Sequence, residues 1–543
     1  MRILALSIIT VLSAAAAPAF ADNPPWFPSL QAFEHYDSGR SHVFSQAEFR
    51  GSYNGRNRVA EVPSAAGAYP SGYNTSYLDE NTAFIQGGSY GNDPGSIGPF
   101  VAKVHPQTLA TIWYTQLRNT GDGGCTNGEW DYPGAMAIEN DGYIYVVSGY
   151  RIYKVEPAGG SVVDTLVLPT MVYMRNNWPC LPANYDNFLT DDLVNTSYNG
   201  INALPDGTII LKSLYRAADC ECMNGSDALL GCPDYANVPQ SVLISVNPHG
   251  TNGHMEIIQT IPLQFPAAAR PTITHYNGVD YVYLLANTST PVRYSVTNGI
   301  FTFDNSWLPP AVTNCGQQVG GSLIAMGDWI VGATNSVPAT EPLTVFAIHQ
   351  GDASKYYSVQ PYANDPVPPE LHAAFATAAP NGGSPLCTGS PPPCPMATPQ
   401  QAVSWADMSL EADPENGLFY GVETLARKVA AFRITGSGIH TAWKETQTTT
   451  EWATLIGPKE HRVWVGTDIP VPEIPGRNHT DMVVWRDART GRELARSGEL
   501  PYMTQGSAVQ PGYGGSMFFP GAEGRLIKLT PIPERLGQGH GPR

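Results

Sequence analysis

The chain of 543 residues has little charge: Asp, Glu, Lys and Arg together make up only 14 % of it. Glycine (54), proline (48) and tyrosine (27) are plentiful instead. That composition is typical of many short strands and turns rather than of helices. After residue 21 the sequence also lacks any stretch long and apolar enough to span a bilayer, so we expect no membrane span.

Several sequence motifs that are typical of catalytic, metal or cofactor sites are absent from the chain. The chain has no C-x-x-C-H motif, which excludes the usual attachment of a c-type haem. Its twelve histidines show neither H-x-H nor H-E-x-x-H spacing, which argues against a copper or zinc enzyme. No G-x-S-x-G, P-loop or dinucleotide-binding glycine pattern occurs in a suitable context.

Positive charge is in deficit, with 30 Lys and Arg against 47 Asp and Glu and a net charge of −17. A strongly acidic chain is repelled by nucleic acid and by anionic membrane surfaces. The charge is compatible with cations, with neutral substrates or simply with solubility. We therefore expect no nucleic-acid partner.

The first 21 residues have the three parts of a secretory signal. Arg2 gives a positive start, residues 3–17 are apolar, and Ala19-Phe20-Ala21 is an A-x-A cleavage site. A membrane anchor is the weaker alternative because the apolar part is short. The pattern predicts export to the periplasm or out of the cell.

All eight cysteines follow this signal, and an even number in an exported chain predicts disulfides. Cys387 and Cys394 flank a short Pro-rich loop and are expected to pair with each other. A metal site at Cys220-Glu221-Cys222 is the weaker alternative, since the spacing is not that of a zinc pair. The others are Cys125, Cys180, Cys232 and Cys315.

Residues 131–166 form the unit that the rest of the chain repeats. Two strands rich in β-branched and aromatic residues, at 143–147 and 151–155, follow a short apolar strand at 135–138 and precede a fourth at 162–166. Turns at Asn140-Asp141-Gly142 and Gly159-Gly160 separate them. A lone four-stranded sheet cannot bury both faces, whereas radial packing against similar sheets can.

Looser copies of this unit recur almost to the C-terminus and predict an all-β fold, a single β-propeller of eight blades, with seven as the alternative. The eighth repeat lacks a fourth strand, which an N-terminal strand could supply; residues 43–49 are a candidate strand for that last blade. The expected organisation is a signal (1–21), a lead-in (22–42), a propeller (43–532) with insertions at 216–239 and 364–399, and a tail (533–543).

Asp487-Ala488-Arg489-Thr490-Gly491 resembles the D-x-x-T-G turn of quinoprotein-like propellers, in which a Trp five residues after the Thr wedges between blades. Here that place holds Ala495. In the first repeat Trp113 stands five residues after Thr108, and the second repeat keeps Gly160. The resemblance implies a quinoprotein-like propeller, with pyrroloquinoline quinone and calcium as the implied cofactors. The chain lacks the adjacent cysteine pair that quinone-dependent alcohol dehydrogenases of this type carry.

Residues just before the innermost strand of each blade ring one mouth of a propeller's channel, and this geometry selects the candidate site. Two acidic-aromatic clusters, 129–131 and 405–407, are expected to face each other there. Carboxylates can bind a cation or transfer protons, and indoles can stack on a planar ligand or a sugar. The predicted catalytic residues are Asp131, Asp407 and His275; the predicted cofactor-binding residues are Glu129, Trp130, Asn199, Arg270, Trp405, Glu451 and Trp452, with Gln317 also at the mouth. The alternative interpretation is that these indoles pack between blades and these acids cap turns.

Three functions remain open from the sequence. The first is an exported quinoprotein-like oxidoreductase acting on a small molecule at the central funnel. The second is a ligand-binding or scaffold propeller without catalysis. The third is a lyase or hydrolase acting on a polysaccharide or lactone through Asp131, Asp407 or His275. The expected partner is thus a small molecule or a carbohydrate.

Overall fold

We analysed a computed structural model of the chain, in which the strands of the described residues form eight sheets in a ring, seven of four antiparallel strands and one of six strands. The eight-bladed propeller predicted from the sequence is confirmed. The structure describes residues 25–88, 98–118, 133–169, 196–215, 241–263, 267, 269–285, 290–312, 321–334, 343–366, 410–424, 426–449, 451–469, 480–504, 508–521 and 523–534.

Each of the first seven blades is built from consecutive strands, innermost strand first. Blade 1 has Asn74–Asp79, Thr82–Gly87, Phe100–Val104 and Thr111–Gln116; blade 2 has Pro133–Ile138, Ile144–Ser148, Arg151–Val155 and Val162–Val167; blade 3 has Thr196–Ala203, Ile209–Tyr215, Val242–Asn247 and Glu256–Pro262; blade 4 has Thr272–Tyr276, Val279–Leu285, Pro291–Thr297 and Ile300–Phe303.

The second half of the ring repeats the pattern, and three one-turn 3₁₀ helices lie at Thr251–Gly253, Lys459–His461 and Tyr513–Gly515. Blade 5 has Ile324–Met326, Trp329–Ala333, Val345–His349 and Asp352–Val359; blade 6 has Glu411–Asp413, Leu418–Glu423, Lys428–Thr435 and Gly438–Thr446; blade 7 has Thr454–Ile456, Val463–Asp468, Thr480–Asp487 and Glu493–Arg496, with Leu500–Pro501 beside its third strand; blade 8 has Gln510–Gly512, Ser516–Gly521, Arg525–Pro533 and, from the N-terminal part, Asn57–Pro63.

Burial follows the radial order of the strands. In blade 2 every residue of Ile144–Ser148 is buried, whereas the outer strand Val162–Val167 alternates between exposed and partly buried side chains. The second strand is therefore buried on both faces because neighbouring blades cover it, whereas the outer strand keeps a face toward solvent.

The ring is closed by the N-terminal part of the chain. Asn57–Pro63 pairs antiparallel with Arg525–Pro533 and supplies the fourth strand of blade 8, as the sequence predicted of an N-terminal strand. The assignment of residues 43–49 to that last blade is wrong. Only Val43–Phe44 is a strand, and it pairs in parallel with Leu455 and Ile456 on the inner edge of blade 7. The reason is that the chain still lies inside the ring at this point.

Residues 25–47, here called the channel segment, run along the inside of the ring. Backbone N–H groups of the inner strands donate to its carbonyl oxygens, so the segment completes edges that would otherwise face an open channel. It meets the blades in their sequence order. The backbone hydrogen bonds, each given as the N–H donor, the carbonyl acceptor and the N–O distance, are Tyr77 to Gln31 (2.7 Å), Ile138 to Ala32 (2.8 Å), Ile273 to Ser38 (2.9 Å), Ala325 to Gly39 (2.9 Å), Ala412 to Ser41 (3.2 Å) and Leu455 to His42 (2.9 Å).

Tryptophans of outer strands wedge against turn glycines of the following blade. The Trp113 indole donates to the Pro157 carbonyl over 3.3 Å and lies against Gly160. Trp443 does the same one blade before the D-x-x-T-G turn: its indole donates to Ala488 over 2.9 Å and covers Gly491. The wedge that the resemblance implied is thus present at Trp113, and Trp443 is a second one that the sequence analysis did not identify.

We expect Gly491→Ala to destabilise the protein more than Gly417→Ala. Both glycines have positive φ (76° and 64°), so each substitution carries backbone strain of about 1 kcal/mol. A Cβ at Gly491 would also lie 2.8 Å from the Trp443 ring, whereas one at Gly417 would meet nothing within 4 Å. Overpacking adds about 1–3 kcal/mol. Chemical denaturation of the two variants measures the difference, and equal losses would show that the wedge contact is not tight.

Candidate functional site

A buried polar cluster lies where the channel segment passes the starts of three inner strands. The segment contributes Glu34, His35, Arg40 and His42, all at most 2 % exposed. Tyr73, Arg270 and Trp452 come from positions one to two residues before the inner strands of blades 1, 4 and 7, and all three are buried. Their convergence follows from the ring geometry, which brings the starts of the inner strands to one mouth of the channel.

Arg270 holds the cluster together. Its guanidinium donates to the Glu34 carboxylate and to the Tyr73 hydroxyl, and Nη1 lies 3.0 Å from His35 Nε2. The guanidinium carbon of Arg270 lies 4.3 Å from the centroid of the Trp452 ring, a distance at which a cation is attracted to the face of an indole. Gly200, with φ of 72°, leaves room for the Arg270 stem, because a Cβ there would lie 2.7 Å from Arg270 Cβ.

The two histidines of the cluster are neutral and have assignable tautomers. His42 Nδ1 lies 3.0 Å from the Ala453 carbonyl and must donate to it, so His42 Nε2 accepts from His35 Nδ1 over 2.6 Å. His35 Nε2 is left as an acceptor for Arg40, and it also lies 2.6 Å from Oε1 of Glu34. Burial, and then the charge of Arg40, holds the pKa of His35 well below its usual range and lowers that of His42 to about 3.

Burial also shifts the charged groups around these histidines. It raises the pKa of Glu34, against the opposing charges of Arg270 and Arg40. It lowers the pKa of Arg40 to about 9, with the charge of Arg270 as the second cause. The Arg40 side chain nevertheless stays a cation at neutral pH, so two guanidinium groups lie close together in a water-poor interior.

Lys212 adds a third buried basic group from the second strand of blade 3. It is fully buried and is the strand partner of Asn199 on the inner strand. Burial, followed by the charges of Arg270 and Arg40, lowers the pKa of this amine well below its usual range. The two arginines therefore act on Lys212 as like charges.

Several polar atoms of this region have no hydrogen-bond partner among the described residues. They are Nε and Nη1 of Arg40, Nζ of Lys212, Oδ1 of Asn199 and Nε1 of Trp452. Buried polar atoms are rarely left unpaired, because each costs about 1–3 kcal/mol. Four of the five are nitrogens, so the group that satisfies them is an acceptor, such as water or an anion.

The residues predicted from the sequence divide into three groups. Arg270 and Trp452 contact each other in the cluster, Asn199 lies opposite Lys212, and Glu451 is buried beside Trp452 in the chain. His275 lies at the far end of the blade 4 inner strand, 55 % exposed, with Nδ1 2.7 Å from Asp280. The others fall outside the described residues: Glu129, Trp130, Asp131, Gln317, Trp405 and Asp407, and with them all eight cysteines.

Sequence reasoning did not find the contribution of the channel segment or of Lys212. Residues 22–42 were interpreted as a lead-in because they match no repeat. Two signals were present nonetheless. The segment holds Glu34, His35, Arg40 and His42 within nine positions of a chain poor in charge, and Lys212 is a single charge in the otherwise uncharged strand Ile209–Tyr215.

A second polar cluster, on the opposite face of the ring, joins the turns of blades 2 and 3. Ligand-type atoms of Glu139, Asp141 and His249 lie within 4.8 Å of one another. Asp141 Oδ2 is already occupied, since it lies 2.8 Å from the Lys154 ammonium and accepts from Tyr145 over 3.0 Å. The charges are therefore compensated within the protein, and this cluster joins two blades.

No protein-family model and no curated protein sequence matches the chain. Among solved structures it is similar to the quinohemoprotein alcohol dehydrogenase from Comamonas testosteroni, with 11 % identity and a TM-score of 0.52 over 96 % of this chain and 83 % of that one. A similar enzyme from Pseudomonas putida has 10 % identity and a TM-score of 0.49 over 94 % and 82 %. The Dos1 propeller has 8 % identity and a TM-score of 0.48 over 89 % and 97 %.

No helix among the described residues is long and apolar enough to cross a membrane. At these identities the likeness is one of fold. The chain has the eight-bladed, quinoprotein-like propeller fold of the Comamonas alcohol dehydrogenase.

Proposed function

We propose that this chain is an exported propeller protein that binds a small anionic molecule at the polar cluster of its central channel. This is the ligand-binding function among those that the sequence left open. Export rests on the tripartite signal in residues 1–21. The binding function rests on Lys212, whose buried amine has two cationic neighbours and, within the described chain, no hydrogen-bond partner.

The chemistry of the unpaired atoms supports an anion with several oxygens. Nitrogens of Arg40, Lys212 and Trp452 offer unused N–H groups, and charge-assisted hydrogen bonds from such groups to carboxylate or phosphate are short and strong. Asn199 can present either its oxygen or its amide nitrogen to a ligand. A neutral ligand would leave the repulsion between the Arg40 and Arg270 guanidinium groups without further compensation.

The redox alternative requires a place for pyrroloquinoline quinone and calcium. The propeller fold is compatible with a quinone cofactor, since the Comamonas protein is named a quinohemoprotein. The side chains of the described residues, however, do not fit pyrroloquinoline quinone and calcium. The Trp452 ring is already in contact with Arg270 and with His35, 4.3 Å away from each. The only carboxylate-rich cluster in the described chain, at Glu139, lies on the other face and is occupied by Lys154.

A spectroscopic assay separates the two functions. A quinone-dependent oxidoreductase would show a bound chromophore, or dye reduction after reconstitution with pyrroloquinoline quinone and calcium. The proposed binding protein shows neither. The hydrolase or lyase alternative finds no added support, because His275 is exposed and paired with Asp280, and Asp131 and Asp407 lie outside the described residues.

Ligand-induced stabilisation tests the proposal directly. We expect inorganic phosphate, oxalate or citrate to raise the unfolding midpoint of the intact protein above that in chloride of equal ionic strength. A ligand present at 100 times its dissociation constant adds about 2.7 kcal/mol. Lys212→Met should abolish the shift, whereas Lys355→Met, at an exposed position, should keep it. Equal midpoints in all these salts for the wild-type protein would overturn the proposal and leave water as the partner of these atoms.

A further inference from the structure

Lys212 has the surroundings of a reactive amine rather than of a structural cation. Structural lysines are exposed or paired with acids, since burying an unpaired ammonium is very costly. Lys212 is fully buried and has Leu211 and Ser213 as chain neighbours and Asn199 as its strand partner. Its Nζ makes no hydrogen bond within the described part of the chain. An amine in such a place is stable only as the neutral, nucleophilic form.

The nearby guanidinium groups reinforce this state. Arg40 and Arg270 both act on Lys212 as like charges, and a lysine that is desolvated beside another cation is a known way of activating an amine as a nucleophile. Arg40 can also hold a carboxylate, because its Nε and Nη1 have no hydrogen-bond partner among the described residues. The channel therefore combines an anchor for an acid group with a free amine beside it.

We propose that Lys212 forms an imine with the carbonyl carbon of a small 2-oxo acid, whose carboxylate is held by the unpaired Nε and Nη1 of Arg40. This inference rests on the proposed anion-binding function and names its ligand class. A 2-oxo acid is favoured over phosphate because it places an electrophilic carbonyl carbon directly beside its carboxylate, whereas phosphate offers the amine no carbon to attack.

The reaction balances without any further reagent. The lone pair of Lys212 Nζ attacks the carbonyl carbon, a C–N bond forms, and the carbonyl oxygen takes up a proton to give a carbinolamine. Loss of the hydroxyl group breaks the C–O bond. The oxygen leaves as water with the two protons that the neutral amine carried, and a C=N bond remains. No electron acceptor or donor takes part, so this chemistry needs no redox cofactor.

Reductive trapping with pyruvate as the probe tests the inference. Intact protein is incubated with pyruvate and sodium cyanoborohydride, and its peptides are analysed by mass spectrometry. We expect a larger fraction of Lys212 than of exposed lysines such as Lys355 to carry the reduced pyruvyl adduct. Because the pKa of Lys212 is lowered, its labelling should be close to its plateau at neutral pH, whereas labelling of Lys355 should rise steeply toward alkaline pH.

Two variants keep the outcomes distinct. Lys212→Arg places a cation with N–H donors at this position but cannot form the imine, so it should lose the adduct and keep stabilisation by inorganic phosphate. Lys355→Arg should leave the Lys212 adduct unchanged. If phosphate stabilises the wild-type protein but Lys212 is labelled no faster than exposed lysines, the imine is wrong and anion binding stands. If neither phosphate nor pyruvate has any effect, both proposals fail.

Discussion

Replacing Arg462 by methionine is expected to destabilise the protein by about 3–5 kcal/mol, the usual cost of leaving one partner of a buried ion pair alone. Arg462 and Asp413 are both 0 % exposed, with Nε 3.1 Å from Oδ2. The guanidinium also donates to the Gly457 carbonyl and to Glu415. It therefore joins the turn after the blade 6 inner strand to the corresponding turn of blade 7. Methionine fills similar volume but leaves the Asp413 charge with only Asn416 as a hydrogen-bond partner (2.7 Å).

Equilibrium denaturation with urea measures this loss. The matched control is Arg489→Met, since Arg489 is exposed two residues after Asp487 in blade 7 and its side chain makes no ion pair among the described residues. We expect that change to stay within about 0.5 kcal/mol of the wild-type protein. Similar stabilities of the two variants would show that Asp413 is hydrated when Arg462 is missing.

The wild-type protein is expected to lose stability as the pH rises because of Glu411, and the Glu411→Gln variant should not show this loss. Glu411 lies buried in the inner strand of blade 6 and accepts from the Ala453 N–H over 3.1 Å and from the Trp464 indole over 3.3 Å. Burial is the main cause that raises its pKa to about 8, and both hydrogen bonds oppose it. At neutral pH this carboxyl group is therefore protonated in the folded protein.

The sign of the pH effect follows from proton binding. Between pH 4.5, the usual pKa of a glutamate, and about pH 8, Glu411 is protonated in the folded protein and ionised in the unfolded chain. The free energy of unfolding therefore falls as the pH rises. The slope reaches about 1.4 kcal/mol per pH unit for one group, and the total is on the order of a few kcal/mol. Above pH 8 the effect is complete.

The measurement is the difference in unfolding free energy between the wild-type protein and Glu411→Gln at pH 5, 6, 7 and 8. Titration of other groups, including His35 and His42, is common to both proteins and cancels. We expect the variant to gain relative stability steadily over this range. Glu256→Gln, at an exposed position, is the control and should show a constant difference. A constant difference for Glu411→Gln as well would mean that its carboxyl group ionises normally.

The repeat made the fold predictable, because each blade buries its inner strands by the same alternation and turns. The second blade was located to within one or two residues at most strand ends, and the missing strand of the eighth blade indicated closure by an N-terminal strand. The outer strands of blades 4 to 7 escaped prediction, as did two strands of blade 1, Asn74–Asp79 and Thr82–Gly87. Asn74–Asp79 is largely polar, since it faces the channel segment rather than another apolar sheet.

The site was predictable only where it depends on the ring. The rule that residues before the inner strands gather at one mouth selected Arg270 and Trp452, which do meet. It could not select Glu34, His35, Arg40 or His42, because their place depends on a segment that enters the channel and belongs to no repeat. Nor could it select Lys212, whose burial is set by tertiary contacts rather than by its own strand.

The route of the channel segment constrains how this protein reaches its native state. Residues made early in synthesis bind residues made late: His42 meets Ala453 across 411 positions, and Leu30 meets Tyr513 across 483. Such distant pairings make folding slow, since most of the chain must be ordered before they form. The segment must also be in place while the blades assemble around it, because a finished ring is closed on all sides. Nearly the whole polypeptide must therefore be available at once, and a stalled intermediate would expose several unpaired strand edges to other molecules.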